Sequence, residues 1–179
     1  MSTSTLISTS VRPTLTLEDV QSVMMTVSKC LARVGLGQMQ IIGRPASRPG
    51  WRPRGFSAVC RFSGDVTGIL VLDVDRSMVD ILARRFVRHA RSFSDSDRIQ
   101  ALEILADLVV TDAIRCTHHR SRLLAPDSVD LYRPGLWEDD LLEQFPMAVM
   151  PVQTPCGECR LAYSIDPAAR EYACDWSDA

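Results

Sequence analysis

Glu103 and Asp107 stand four residues apart in the run ALEILADLVV (101–110), which is otherwise apolar. At that spacing two side chains share one face of a helix. Two carboxylates side by side can take a proton from water or meet a basic partner. Their mutual repulsion costs only about 0.2–0.5 kcal/mol, which a packed helix tolerates. Gln100 and Thr111 fall on the same stripe. The opposite stripe is Ile99, Leu102, Ala106, Val109 and Ala113, widened by Leu105 and Leu108. The acidic stripe therefore has three readings: a solvated surface, a docking surface, or a catalytic pair.

Other reactive residues point less clearly to chemistry. Cys156-Gly-Glu-Cys159 is a single CxxC. A structural zinc site takes four ligands, usually from two such pairs, and only Cys116, His118 and His119 are at hand to complete one. A redox CxxC opens a helix beside a βαβ unit, whereas this one falls in a turn between two strand patterns. No metal site and no cofactor are expected. The chain has no Gly-x-Ser-x-Gly and no phosphate-cradling glycine loop. His118 and His119 suit a helix C-terminus by the helix dipole. Met24, Met25 and Met78 sit at helical spacing and read as core fillers.

The elements that must position these residues follow from periodicity. TLEDVQSVMMTVSKCLARVGLG carries a capping pair, Thr16 with Asp19, and an apolar stripe of Val20, Val23, Met24, Val27, Leu31 and Val34. Gly35 and Gly37 are its stops. QMQII (38–42) reads as a short strand. GRPASRPGWRPRG (43–55) reads as a solvated surface loop in preference to the alternative, in which its arginines and Trp51 touch an anionic partner. FSAVCRF (56–62) and VTGILVLDV (66–74), joined through Ser63-Gly64-Asp65, make a β-hairpin. A helix is predicted near 76–90. The longest helical signal begins at Ser94, where Ser94 and Asp97 form a second capping box. After residue 122, SVDLYRPG reads as a strand ending in a turn, and LWEDDLLEQ as a loop or helical turn. FPMAVMPVQT and CRLAYSID then form a closing antiparallel pair joined through TPCGE. Hairpins without βα alternation predict an α+β fold: one domain, an antiparallel sheet with helices packed on one face.

The whole chain sets outer bounds. Its 179 residues suit one domain with its own core. Residues 1–16 read as a flexible polar tail, 17–166 as the domain and 167–179 as a C-terminal tail. The N-terminus lacks the basic start and apolar core of a secretory signal, and no run approaches a membrane span, so a soluble cytoplasmic protein is expected. Residues 1–122 hold 17 Arg and Lys against 11 Asp and Glu, and residues 123–179 hold 3 against 11. The uneven charge suits surface contact with a partner. The basic residues form no wide surface in the sequence, so a nucleic-acid partner is not expected. Cys30, Cys60 and Cys116 fall in apolar patterns and read as reduced core thiols.

Two stretches, FSGDVTGILVLDVDRSMVDILARRFV and SFSDSDRIQALEILADLVVTD, resemble the CheX-like branch of the CheC/CheX/FliY chemotaxis phosphatases. Gly64 and Gly68 hold the places of the two hairpin glycines, and SVDLYRPG and the 145–165 pair follow in the family's order. The resemblance covers about 17–166 by pattern. It implies a homodimer formed by edge-strand pairing, and a signature helix, Glu-x-x-Asn, that docks on a phosphorylated response-regulator receiver domain. The acid of that signature contacts a lysine of the partner, and the amide orients a water toward the aspartyl phosphate. Glu103 matches the acid, while the amide position is Ala106, with Asp107 one place beyond. The expectation is a receiver-binding protein with weak or lost phosphatase activity, contacting its partner through Gln100, Glu103, Asp107 and Thr111. The alternatives are an active phosphatase using Glu103 and Asp107, and a secretion chaperone or assembly factor.

Overall fold

A computed structural model describes residues 17–43, 46–48, 51–64, 68–87, 92–118, 124–137 and 147–164. The helices are α1 (Leu17–Arg33), α2 (Arg76–Phe86) and α3 (Asp95–His118). The strands are β1 (Gln40–Ile41), β2 (Ala46–Arg48), β3 (Phe56–Gly64), β4 (Gly68–Val74), β5 (Leu124–Tyr132), β6 (Met147–Thr154) and β7 (Gly157–Ser164). All pair antiparallel in one sheet of order β1-β6-β7-β4-β3-β5, with β2 also on β6. Three helices on one face of an antiparallel sheet are the α+β architecture that the sequence predicts.

Alternation along the strands sorts the side chains. Phe56, Ala58, Cys60, Leu70, Leu72, Val74, Met150, Val152, Cys159 and Leu161 face the helices, where they join Val27, Leu31, Met78, Leu82, Leu102, Leu105 and Val109 in the main core. Their alternates Val59, Val71, Met147, Val149 and Ala162 face away and form a second, smaller cluster with Trp51. Trp51 is only 8% exposed, so it does not stand free in a solvated loop as the sequence suggests. The stretch that holds it also contains strand β2. The physical reason is a buried carboxylate. Asp73 on β4 accepts the backbone N–H of Arg54 (3.2 Å) and Gly55 (2.7 Å), the Ser57 hydroxyl (3.1 Å) and the Arg160 guanidinium (2.9 Å). This binds residues 54–55 to the outer face and lays Trp51 over it. Gly55 is required here, because a Cβ at its position would lie 2.0 Å from the Val74 carbonyl oxygen.

Local signals set the element ends. Gly35 takes φ +76° and closes α1, with Leu36 N–H on the Leu31 carbonyl at 2.9 Å and Gly35 N–H on that of Ala32 at 3.0 Å. Asp75 caps α2, accepting Met78 N–H at 2.8 Å with one oxygen and Glu158 N–H at 3.1 Å with the other. It thereby ties the start of α2 to the β6–β7 turn. Helix α2 stops at Phe86, earlier than predicted. Met24 and Met78 are buried, but Met25 is 55% exposed. It is not a core filler, because it lies next to Met24 on a helix only one face of which meets the core. The predicted turn residue Asp65, the stretch LWEDDLLEQ from Glu138 onward, both tails and His119 lie outside the described residues.

Candidate functional site

Helix α3 is the longest of the described helices, with 24 residues. Its start is the reciprocal cap that the sequence predicts. The Asp97 carboxylate accepts Ser94 N–H (2.8 Å) and the Ser94 hydroxyl (2.6 Å), and Asp97 N–H donates to Ser94 Oγ (3.2 Å). Those bonds hold the Asp97 carboxyl below its ordinary value, with the Ser94 hydroxyl the largest cause. One residue later Arg98 turns inward. Its guanidinium donates from Nε to Asp80 of α2 at 2.7 Å and from Nη1 to Asp95 at 2.9 Å, and lies 5.9 Å from the centre of the Phe56 ring. Its side chain is 6% exposed, so these carboxylates satisfy a charge that would otherwise be costly to bury. The Asp80 hydrogen bond is the main cause of its raised pKa.

Further along α3, Asp112 meets α1. Its carboxylate pairs with Arg33 at 2.5 Å and accepts the Cys30 thiol at 3.4 Å. Helix α3 is thus held by α2 near its start and by α1 past its middle. Between these ties its rotation is set by Ala101, Leu102, Leu105, Ala106 and Val109, each 0% exposed.

That rotation brings the predicted residues together. Gln100, Glu103, Asp107 and Thr111 are all exposed and follow one another along the outer stripe of α3. Ile104 and Leu108 lie half-buried beside them. Asp107 also overlooks strand β3: its charge adds to burial, the larger cause, in pushing the Cys60 thiol up to about 12. Ala106 does not belong to the stripe. It is fully buried, so no side chain at that position could reach a partner without leaving the core. The stripe offers two carboxylates, a carboxamide and a hydroxyl on a rigid base. It can accept hydrogen bonds from cationic donors, and through Gln100 it can also donate.

The two cysteines of the CxxC lie in different surroundings. Pro155 and Cys156 make the β6–β7 turn, and Cys156 Sγ lies 3.8 Å from the Gly35 carbonyl oxygen at the end of α1. Cys159 is in the core, where burial first and then the charges of Asp73 and Asp75 push its thiol up to about 12. A thiol of that acidity is a poor ligand and a poor nucleophile near neutrality. Cys30, Cys60, Cys156 and Cys159 are thiols outside any disulfide, and among the described residues no three His, Cys, Asp or Glu side chains are grouped to hold a metal. The side chains of Cys116 and His118 lie outside the described set.

Sequence reasoning found the stripe and its cap but not the Arg98–Asp80 pair. The partners are 18 residues apart on different helices. Only an arginine on the otherwise apolar side of α3 hinted that it needed a buried acid.

By sequence, no family model and no curated protein matches the chain. By structure, CheX from Desulfovibrio desulfuricans superimposes with a TM-score of 0.67 at 11% identity, over 84% of this chain and 100% of that one. A Borrelia burgdorferi CheX, crystallised as a CheX–CheY–BeF3–Mg2+ complex, gives 0.65 at 13% identity over 84% and 99%. Thermotoga maritima FliY gives 0.55 at 12% identity over 90% and 96%. No described helix is long and apolar enough to cross a membrane. Over most of its length, this chain has the CheX-like fold of the CheX/CheC-type chemotaxis proteins.

Proposed function

We propose that the chain is a signalling protein that binds a response-regulator receiver domain through the outer stripe of α3. The observation that carries this reading is that Gln100, Glu103, Asp107 and Thr111 are all exposed along one line of a helix whose other side is fully buried. A similar fold crystallised with the CheY receiver in the presence of BeF3 and Mg2+ supports the choice of partner. In this reading Glu103 and Asp107 receive cationic groups of the receiver, and Gln100 and Thr111 flank them with neutral hydrogen bonds. Two carboxylates alone are poor catalysts beside an aspartyl phosphate, because hydrolysis needs positioning and neutralisation of negative charge. The phosphatase activity of the chain is accordingly weak.

Strand β5 ends the sheet and has β3 as its neighbour. We assign to it the pairing of two copies, by continuation of the sheet across an open edge.

The test is a titration of a purified receiver, with and without beryllofluoride, against the wild-type chain and against Glu103→Ala and Asp107→Ala. Tighter binding of the activated receiver, weakened by both substitutions, is expected. Binding to unfolded effector segments instead of a folded receiver would replace this reading with a chaperone role.

A further inference from the structure

We infer that Lys29 and Arg33 of α1 form the second half of the docking surface and receive the anionic phosphoryl group of an activated receiver. The inference rests on the receiver-binding reading and adds to it the residues that tell the activated receiver from the resting one.

The stripe alone does not make that distinction. Activation adds an anionic group to the receiver's aspartate, and negative charge brought toward Glu103 and Asp107 is repelled. Gln100 and Thr111 are neutral. The described side chains of α3 include one cation, Arg98, which is 6% exposed and held by Asp80 and Asp95. A surface that prefers the activated form therefore needs cations from another element.

Helix α1 brings them alongside. The Cys30 thiol lies 3.7 Å from the Leu108 carbonyl oxygen and 3.4 Å from an Asp112 oxygen, and Arg33 pairs with Asp112 at 2.5 Å. The side of α1 that bears Cys30 and Arg33 thus adjoins α3 where the stripe ends in Thr111. Lys29 stands four residues before Arg33, on the same side of the helix. Both cations are exposed, Arg33 over 61% of its side chain. A basic patch on α1 so borders the acidic stripe of α3. Asp112 lies five residues beyond Asp107, about 7.5 Å along the helix, so one partner can reach both.

The chemistry of the pair suits a phosphoryl group. A guanidinium carries five N–H donors in a planar fork that matches phosphate oxygens. Asp112 bonds Nη1 of Arg33 and restrains the fork, and the remaining donors can meet two oxygens of an anion at once. Lys29 restores the positive charge that Asp112 offsets. The neighbouring charges also set the partner's orientation. Its basic groups go to α3 and its anion to α1, and the reversed arrangement would place like charges together.

The experiment measures the affinity of the full chain for one receiver domain in two states, unmodified and beryllofluoride-activated, at low ionic strength. The readout is the ratio of the two affinities, which a merely structural loss would leave unchanged. Wild type is compared with the Lys29→Gln, Arg33→Gln double variant. The control is the Arg76→Gln, Arg84→Gln double variant, which removes the same charge from exposed positions of α2. The preference of wild type for the activated form is expected to fall at least about threefold in the α1 variant and to persist in the α2 variant. An α1 variant that keeps the wild-type ratio would overturn the inference, whatever its absolute affinity. An equal fall in the α2 variant would also overturn it, since net charge alone would then explain the preference. Wild type that binds both states equally would overturn it and leave the docking reading standing. Failure of wild type to bind either state would overturn the docking reading itself.

Discussion

Glu103 and Asp107 differ from every other acidic residue of α3. Asp97 is used in the cap, Asp95 pairs with Arg98 and Asp112 pairs with Arg33. The two stripe carboxylates have no such structural task among the described contacts, so their removal should leave stability within about 0.5 kcal/mol. A denaturant titration of the Glu103→Ala, Asp107→Ala double variant checks this; a large loss would mean that the stripe holds the fold together. Gly35 is the opposite case. Its φ of +76° suits glycine, and a Cβ there would lie 1.9 Å from an Arg85 guanidinium nitrogen. Gly35→Ala should therefore cost at least about 1 kcal/mol, read as a lower denaturation midpoint. At this scale the sequence was informative wherever a residue acts through its own backbone or its near neighbours. Gly35 and the Ser94–Asp97 box are legible for that reason. Asp73 was not, because its four donors come from β3, β7 and the segment before β3, and nothing local marks it as a buried anion.

The ties of helix α3 lie off the stripe, so in the proposed reading they fix it as a docking platform without occupying it. Asp80→Ala would leave Arg98 buried with Asp95 as its ionic partner among the described residues, and should cost about 1.5–3 kcal/mol. The same variant should weaken any activity of the stripe without removing a group from it, since it loosens the turn that bears Gln100. Thermal unfolding and receiver affinity, measured together, check both effects. The cap also gives α3 a pH response. The Asp97 pKa is lowered in the folded chain, so its contribution is present above the ordinary carboxylate value of 3.8 and is lost as pH falls through the still lower folded value. Protection of the first-turn amides of α3 from exchange, taken relative to the intrinsic rate at each pH, should fall on acidification in wild type and be low throughout in Asp97→Asn. Periodicity made this helix and its exposed stripe readable in advance. It could not reveal the ties to α1 and α2, which depend on how three helices lie across one sheet.

The whole molecule is a sheet with two unequal cores, and the sequence conveyed only the larger. The helix-facing residues alternate with residues that look equally apolar, such as Val59, Val71 and Val149. Alternation alone would leave that second face in water. The structure covers it with Trp51, held in place by Asp73, and Tyr132 and Trp137 pack beside it, their rings tilted by 48° with centres 4.4 Å apart. Asp73→Ala should strand three or four donors and release this cover, costing about 3 kcal/mol or more, with a rise in tryptophan exposure to a soluble quencher. Alkaline stability is a second property of the whole. Cys60 and Cys159 are both raised from 9.0 to about 12 by burial. Their contribution is fully present below pH 9.0 and lost as pH rises toward 12, because the unfolded thiols ionise first. The fold that results resembles that of CheX proteins at 11–13% identity, a level at which few individual residues are shared.

The measurement that bears most directly on the central claim is the affinity of the chain for a beryllofluoride-activated receiver domain, with and without its two stripe carboxylates. The account predicts binding by wild type that weakens at least about tenfold, or 1.4 kcal/mol, in the Glu103→Ala, Asp107→Ala double variant, with the fold unchanged. Equal affinity in the two proteins, or no binding by either, would contradict it.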